Sequence, residues 1–182
     1  PGRHNCEPSL GKIAQYRGIV ETGAYTCLLF DGAMVRAAYS FEDDLLVSHS
    51  LLWWPSPFLI EASDLELGGV LDIFDLYADS NGWHEQIQMR SPVRFDFDVK
   101  NAADEHPASH LHMQSGKCRL FVDSPVCFNR FIKFVFRNFY PDTYNQHFFW
   151  GDLENCRLYF SNAGDQSPPK YEYFAWGALA NA

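Results

Sequence analysis

The segment SPVRFDFDVK, residues 91–100, constrains the fold most strongly because apolar and polar residues alternate strictly along it. The apolar positions are Val93, Phe95, Phe97 and Val99, and the positions between and after them are Arg94, Asp96, Asp98 and Lys100. Successive side chains of a β-strand point to opposite faces, so the pattern predicts a strand with one buried and one polar face. The chain is therefore expected to build a sheet with one face against a core.

Three strands are predicted upstream of this segment, near residues 25–30, 33–41 and 45–54. Asp31-Gly32 separates the first two, and an Asp-Gly pair supplies the positive φ angles of a tight two-residue hairpin turn. Pro55 ends the third, because proline cannot donate a hydrogen bond to a strand ladder. Together they indicate an antiparallel meander.

Helical periodicity appears in three other segments. Residues 9–20 and 65–78 predict short helices, and residues 125–139 predict a long aromatic helix that begins at Ser124-Pro125. Two more strands are expected between residues 106 and 122, and another near 156–162. These elements predict a single α+β domain over residues 1–182, with a largely antiparallel sheet and the aromatic helix packed on one face. The ends, 1–8 and 162–182, are expected to be irregular.

Composition limits the classes of function that the chain suits. The net charge is −9, so nucleic acid and membrane surfaces are repelled unless a local basic patch contacts them. No apolar stretch approaches the roughly 20 residues of a membrane helix, which predicts no membrane association. Five cysteines without a C-x-x-C pair suggest reduced thiols, and the first residues lack the layout of a signal peptide. A cytoplasmic location is therefore expected.

The segment HPASHLHM, residues 106–113, carries three of the seven histidines of the chain. In a strand, His110 and His112 share one face while Leu111 and Met113 point to the core. The same rule pairs Asp96 with Asp98. If the two strands are neighbours, two carboxylates and two imidazoles lie on one surface, where they can bind a divalent transition metal or act as acid and base.

Two further residues complete this hypothesis. Pro107 restricts His106 to an extended conformation, so His106 is expected at a chain corner, either as a ligand or proton-transfer group or as a turn residue that hydrogen-bonds its own backbone. Arg119, on the following strand, is suited to a phosphate. The predicted catalytic residues are therefore His106, His110 and Arg119, and the predicted metal ligands are Asp96, Asp98 and His112.

A purely structural interpretation competes with this site. Polar residues on an exposed strand are usually solvated, and single histidines are usually part of the packing. The spacing also differs from established zinc signatures such as H-E-x-x-H. His49, which lies in an apolar strand, is expected to be structural.

The run from HPASHLHM to CRLFVDSPVCFNRFIKFVFRNFYP, with the upstream RFDFD, resembles an uncharacterised bacterial family of unknown function whose members carry an HPASHL box. In that family the box precedes an Arg-containing strand and an aromatic helix that ends in NFY. The matching positions are His106, Pro107, His110, Leu111, Arg119, Pro125, Phe131 and Asn138 to Tyr140. The similarity covers mainly residues 92–141 and implies no particular reaction. By association, its bacterial setting implies a toxin or defence role.

Two functions remain open from the sequence. The first is a small RNase-like phosphodiesterase or nuclease with an RNA or nucleotide substrate, against which the acidic charge counts. The second is a non-catalytic module that binds a protein partner through its aromatic surfaces and negative charge, with architectural histidines. Convergence of the histidines with Arg119 would favour the first.

Overall fold

The computed structural model describes residues 12–61, 63–103, 106–114, 117–153, 158–160 and 173–174. The predicted irregular ends fall outside these ranges, apart from 173–174. The helices are α1 (Ile13–Glu21), α2 (Val70–Asp79), α3 (Phe128–Phe139) and α4 (Pro141–Gln146). The strands are β1 (Cys27–Leu28), β2 (Met34–Glu42), β3 (Leu45–Trp54), β4 (Val93–Asp98), β5 (Ser109–Met113), β6 (Leu120–Val122) and β7 (Tyr173–Phe174).

The strands form one sheet in the order β1-β2-β3-β4-β5-β6-β7. The first six are antiparallel, as in the β5–β6 pair, where His110 lies opposite Phe121 and Leu111 opposite Leu120. Strand β7 joins β6 in parallel. The predicted α+β class with a largely antiparallel sheet is therefore confirmed.

The loop at Asp31-Gly32 is wider than the predicted two-residue turn. Strand β1 ends at Leu28 and β2 begins at Met34, because local hydrogen bonds replace the ladder between them. The Asp31 carboxylate accepts a bond from the Ala33 N–H at 3.0 Å, and the Gly32 N–H donates to the Leu29 carbonyl. Gly32 has a φ of +76°, which only glycine adopts without strain.

Close contacts divide the chain into two compact units. Unit 1 comprises residues 1–37, 52–94 and 112–118, and unit 2 comprises 38–51, 95–111 and 119–182. Strands β2 to β5 each run continuously from one unit into the other. The expectation of one domain over 1–182 stays a prediction.

The core of unit 1 is built on the ring of Tyr16 from helix α1. That ring stacks on Phe74 of α2 at 5.9 Å and meets Trp54 of β3 edge-on at 6.4 Å. Its hydroxyl donates to the Gly32 carbonyl at 2.5 Å. Helix α2 begins at Val70, later than the predicted start, because Gly69 is extended and a separate 3-10 turn occupies 64–66.

The core of unit 2 includes the contact between helix α3 and strand β4. Phe131 and Phe134 meet Phe95 edge-on at 6.0 and 5.3 Å, so the predicted packing of an aromatic helix on the sheet is confirmed. The helix begins at Phe128 rather than at Pro125. The reason is that the Val126 backbone is bound to the sheet, its N–H donating to His49 Nε2 and its carbonyl accepting from the Tyr39 hydroxyl.

The last predicted strand, at 156–162, is described only at 158–160, where Phe160 forms a single parallel bridge with Leu46. The segment from 142 to 150 contains most of α4 and the start of a 3-10 turn at 149–151, with residues 147 and 148 between them. Across the described ranges, every helix is too short or too polar to cross a bilayer.

Candidate metal centre

Strands β4 and β5 are hydrogen-bonded neighbours, which is the condition that the predicted site required. Strand β4 buries Val93, Phe95 and Phe97 and leaves the residues between them half-buried, as its alternation predicts. Strand β5 is buried on both faces from Ser109 to His112, but Met113 is 42% exposed. The expectation that Met113 points to the core is therefore wrong, because the strand ends there.

Asp96, His110 and His112 converge on one point of these strands. One ligand atom from each side chain lies within 4.8 Å of those of the other two. Two ligands at about 2.1 Å from a tetrahedral ion lie roughly 3.4 Å apart, so the group needs to close by little more than 1 Å to hold one. A carboxylate and two imidazoles are a donor set that suits a divalent transition metal.

The ring of His110 is held in one orientation by the HPASHL segment itself. Its Nδ1 atom lies 2.8 Å from the carbonyl oxygen of Pro107. A carbonyl can only accept, so Nδ1 carries the proton in the neutral ring and Nε2 presents its lone pair. Histidine ligands of metals usually have this second hydrogen bond, which fixes the ring and raises its basicity.

The carboxylate of Asp96 is also oriented by a neighbour. The hydroxyl of Ser50, on strand β3, donates to Asp96 Oδ1 at 2.9 Å. This contact directs one oxygen toward β3. Sequence reasoning missed Ser50, although a polar residue directly before the apolar run LLWW was an available signal.

His106 lies beside the group but is not part of it. Its ring centroid is 4.8 Å from that of His110, with the planes inclined by 68°. Its backbone exchanges two hydrogen bonds with Ala103, which holds it at the corner that Pro107 predicted. Among the described residues, its buried Nδ1 atom has no hydrogen-bond partner. Its predicted role in proton transfer stays a prediction.

Asp98 is placed in a different role from the predicted one. Its carboxylate accepts hydrogen bonds from the backbone N–H groups of Lys100 and Asn101 and from the Asn101 side chain at 2.6 Å. These bonds close the turn after β4. The converging group does not include Asp98, so the geometry gives its predicted ligand role no support.

Arg119 is exposed and immediately precedes strand β6. Because Leu111 lies opposite Leu120, one more step of the antiparallel register would set Arg119 opposite His112. The predicted role of Arg119 at a phosphate stays a prediction.

His49 has a structural role, as expected from the sequence. It is 4% exposed, and its ring packs between Tyr39 and Phe97 at centroid distances of 5.6 and 5.8 Å. Burial lowers its pKa to about 4, partly offset by the charge of Asp96. The neutral ring accepts the Val126 N–H and so fixes the chain before helix α3.

A protein-family model described as "Uncharacterized conserved protein (DUF2290)" matches residues 4–176. The searches of curated proteins and of solved structures found no match. The family model covers nearly the whole chain and includes the HPASHL segment and both strands of the candidate metal centre. The chain therefore belongs to the DUF2290 family of uncharacterized conserved proteins.

Proposed function

We propose that this protein is a metal-dependent phosphodiesterase whose metal is held by Asp96, His110 and His112. The convergence of these three side chains within 4.8 Å is the observation that carries the proposal. Structural zinc sites usually have four protein ligands, whereas hydrolytic sites have three and keep a position for water. The donor set therefore favours catalysis over a purely structural metal.

A bound metal ion, His106 and Arg119 would each have a chemical role in hydrolysis at this site. A divalent ion held by these three residues would lower the pKa of a bound water, whose oxygen would bond to phosphorus as the bond to the leaving alcohol breaks. His106, whose ring is 4.8 Å from that of His110, is suited to accept the proton of that water. Arg119 would contact the phosphate oxygens, where negative charge develops during the reaction.

The net charge of −9 guides the choice of substrate. A long polyanion is repelled by an acidic surface, and each added phosphate increases the repulsion. A short RNA or a nucleotide phosphodiester carries fewer charges and approaches more easily. We therefore expect short substrates to be preferred over duplex or long single-stranded nucleic acid.

A non-catalytic interaction module is the alternative function. Phe148, which is 95% exposed beside the half-exposed Phe149, is the observation in its favour, because exposed aromatic side chains are enriched at protein interfaces. In that case the histidines would serve packing alone. Measurements of metal binding and of hydrolysis distinguish the two functions directly.

The test begins with protein stripped of metal by chelation and reloaded with Zn²⁺ or Mn²⁺. Hydrolysis of bis(4-nitrophenyl) phosphate and cleavage of a labelled 10-nucleotide RNA are measured for the wild type, Asp96→Asn and His106→Gln. We expect metal-dependent turnover that falls by about 100-fold or more in both variants. His147→Gln, which changes an exposed histidine after helix α4, should retain activity. Equal rates in all four proteins, or no turnover with either metal, would reject the phosphodiesterase.

A cytoplasmic toxin or defence role in a bacterium is the setting we propose for this activity, on the basis of the sequence resemblance. Expression in a bacterial host tests it. Wild-type protein should slow growth, whereas Asp96→Asn at the same level should not. Equal growth of the two strains would argue against toxicity.

A further inference from the structure

Unit 1 contains a cavity of about 370 Å³, within the range of small-molecule sites. Two cationic residues, Lys12 and Arg90, line it, and the other described residues of its wall include no Asp or Glu. This contrasts with the net charge of −9 of the whole chain. The wall therefore carries two cationic groups on an otherwise acidic protein, and one of them, Arg90, is ion-paired with Asp31.

Most of the remaining wall is apolar. Its apolar residues are Ile13, Tyr16, Trp54, Ile87, Met89 and the prolines 55, 57 and 92, of which Met89 is almost fully exposed. Trp54 is 4% exposed and belongs to the core of unit 1, and proline rings have little conformational freedom. Such a wall suits a flat or compact apolar group, which would bind without much loss of side-chain entropy.

An ion pair and a hydrogen bond hold two parts of the rim. Arg90 is held by Asp31, with 3.8 Å between Nη1 and Oδ2, and its side chain remains 44% exposed. Ser91 Oγ accepts the N–H of Gln114 at 2.8 Å, so two segments of the rim are joined. The guanidinium is thereby kept at the cavity while most of its donors stay accessible.

Lys12 contributes a second charge next to the first turn of helix α1. It is exposed and immediately precedes Ile13, at which the helix begins. The backbone N–H groups of a first helical turn carry partial positive charge, which adds to the field of the ammonium group. Both cationic residues line a cavity whose wall is otherwise mostly apolar.

We propose that this cavity binds a small organic anion with a flat apolar body, such as an aromatic phosphate, sulfonate or carboxylate. The anionic group would contact Lys12 and Arg90, and the apolar body would lie against Trp54 and Ile87. The residues that line this cavity differ from the three that form the proposed metal centre, and binding to it requires neither metal nor catalysis.

Calorimetric titration of the full chain with naphthalene-1-sulfonate tests the proposal. The comparison probes are 1-naphthalenemethanol, which lacks the charge, and inorganic sulfate, which lacks the apolar body. We expect the sulfonate to bind about fivefold more tightly than the alcohol and more than tenfold more tightly than sulfate. Equal affinity for sulfonate and alcohol, or no binding of the sulfonate at millimolar concentration, would overturn it.

Charge variants locate the bound anion. Lys12→Gln and Arg90→Gln should each weaken sulfonate binding by about threefold and leave binding of the alcohol unchanged. The matched controls are Lys117→Gln and Arg137→Gln, which remove exposed charges of residues that do not line the cavity. If the controls weaken binding as much as the cavity variants, the anion responds only to net charge and the assigned site is wrong.

Discussion

The Nδ1 atom of His110 and the carbonyl oxygen of Pro107 are 2.8 Å apart, and this contact determines which nitrogen of the ring is available to a ligand. Nδ1 donates to the carbonyl, so the Nε2 lone pair is the one that can bind a metal. Pro107 has a fixed φ, which restrains the carbonyl as well. The HPASHL segment thus contains both a candidate ligand and the group that orients it.

Ser50→Ala should weaken metal binding without removing a ligand. The hydroxyl of Ser50 holds one oxygen of Asp96, and loss of such an outer contact typically costs about tenfold in metal affinity. Zn²⁺ titration against a competing chelator measures the change. Ser40→Ala, an exposed serine on β2, is the control and should bind like the wild type. Unchanged affinity in Ser50→Ala would show that the contact does not orient the ligand.

His106→Gln should separate catalysis from metal binding. The residue lies next to His110 but outside the converging group, so the variant should keep its metal and lose about 100-fold in turnover. Loss of metal together with activity would instead make His106 a ligand.

The stability of the protein should depend on pH through His49. Its pKa is about 4 when folded and near 6.5 when unfolded, so the unfolded state binds a proton that the folded state excludes. The contribution of His49 to the free energy of unfolding should therefore be constant above pH 6.5. It should fall by up to about 3 kcal/mol as the pH drops toward 4.

Urea denaturation of wild type and His49→Gln between pH 7.5 and 4 checks this expectation. Glutamine keeps an acceptor for the Val126 N–H but does not titrate. The free energy of unfolding of the variant should therefore depend less steeply on pH between 6.5 and 4 than that of the wild type. Carboxylates contribute to both proteins and cancel in the comparison. Parallel curves would show that His49 does not contribute.

Phe131→Ala should be among the most destabilising single changes in helix α3. The ring is fully buried and packs edge-on against Phe95, so truncation leaves a cavity and should cost about 3 to 5 kcal/mol. Phe148→Ala, at a side chain that is 95% exposed, should change stability by less than about 0.5 kcal/mol. Chemical denaturation measures both. Similar effects of the two substitutions would contradict the assigned packing.

Features set by local pattern were predictable from the sequence. Alternation in β4 placed Asp96 on the polar face, and the two-residue spacing of His110 and His112 placed them together. Helix α3 followed from its aromatic stripe. In each case the regular spacing of side chains along a strand or helix determines which residues share a face, and the tertiary packing buries the apolar face.

Features set by contacts between distant residues were not predictable. The start of α3 depends on His49 and Tyr39 binding the Val126 backbone, 77 and 87 residues away in sequence. The sequence grouped Asp98 with Asp96 only because residues two apart in a strand share a face. In the structure, the Asp98 carboxylate accepts hydrogen bonds from the backbone N–H groups of Lys100 and Asn101 in the local turn. Ser50 could not be assigned to Asp96 without knowing which strand neighbours β4.

Metal stoichiometry is the measurement that tests the central claim most directly. The chelated protein is titrated with Zn²⁺ and with Mn²⁺, and bound metal per chain is measured by mass spectrometry for the wild type, Asp96→Ala, His110→Ala, His112→Ala and the control His147→Ala. The account predicts one ion per chain in the wild type and the control, and at least a tenfold loss of affinity in each of the other three. Absence of a bound ion in the wild type, or equal affinity in all five proteins, would contradict it.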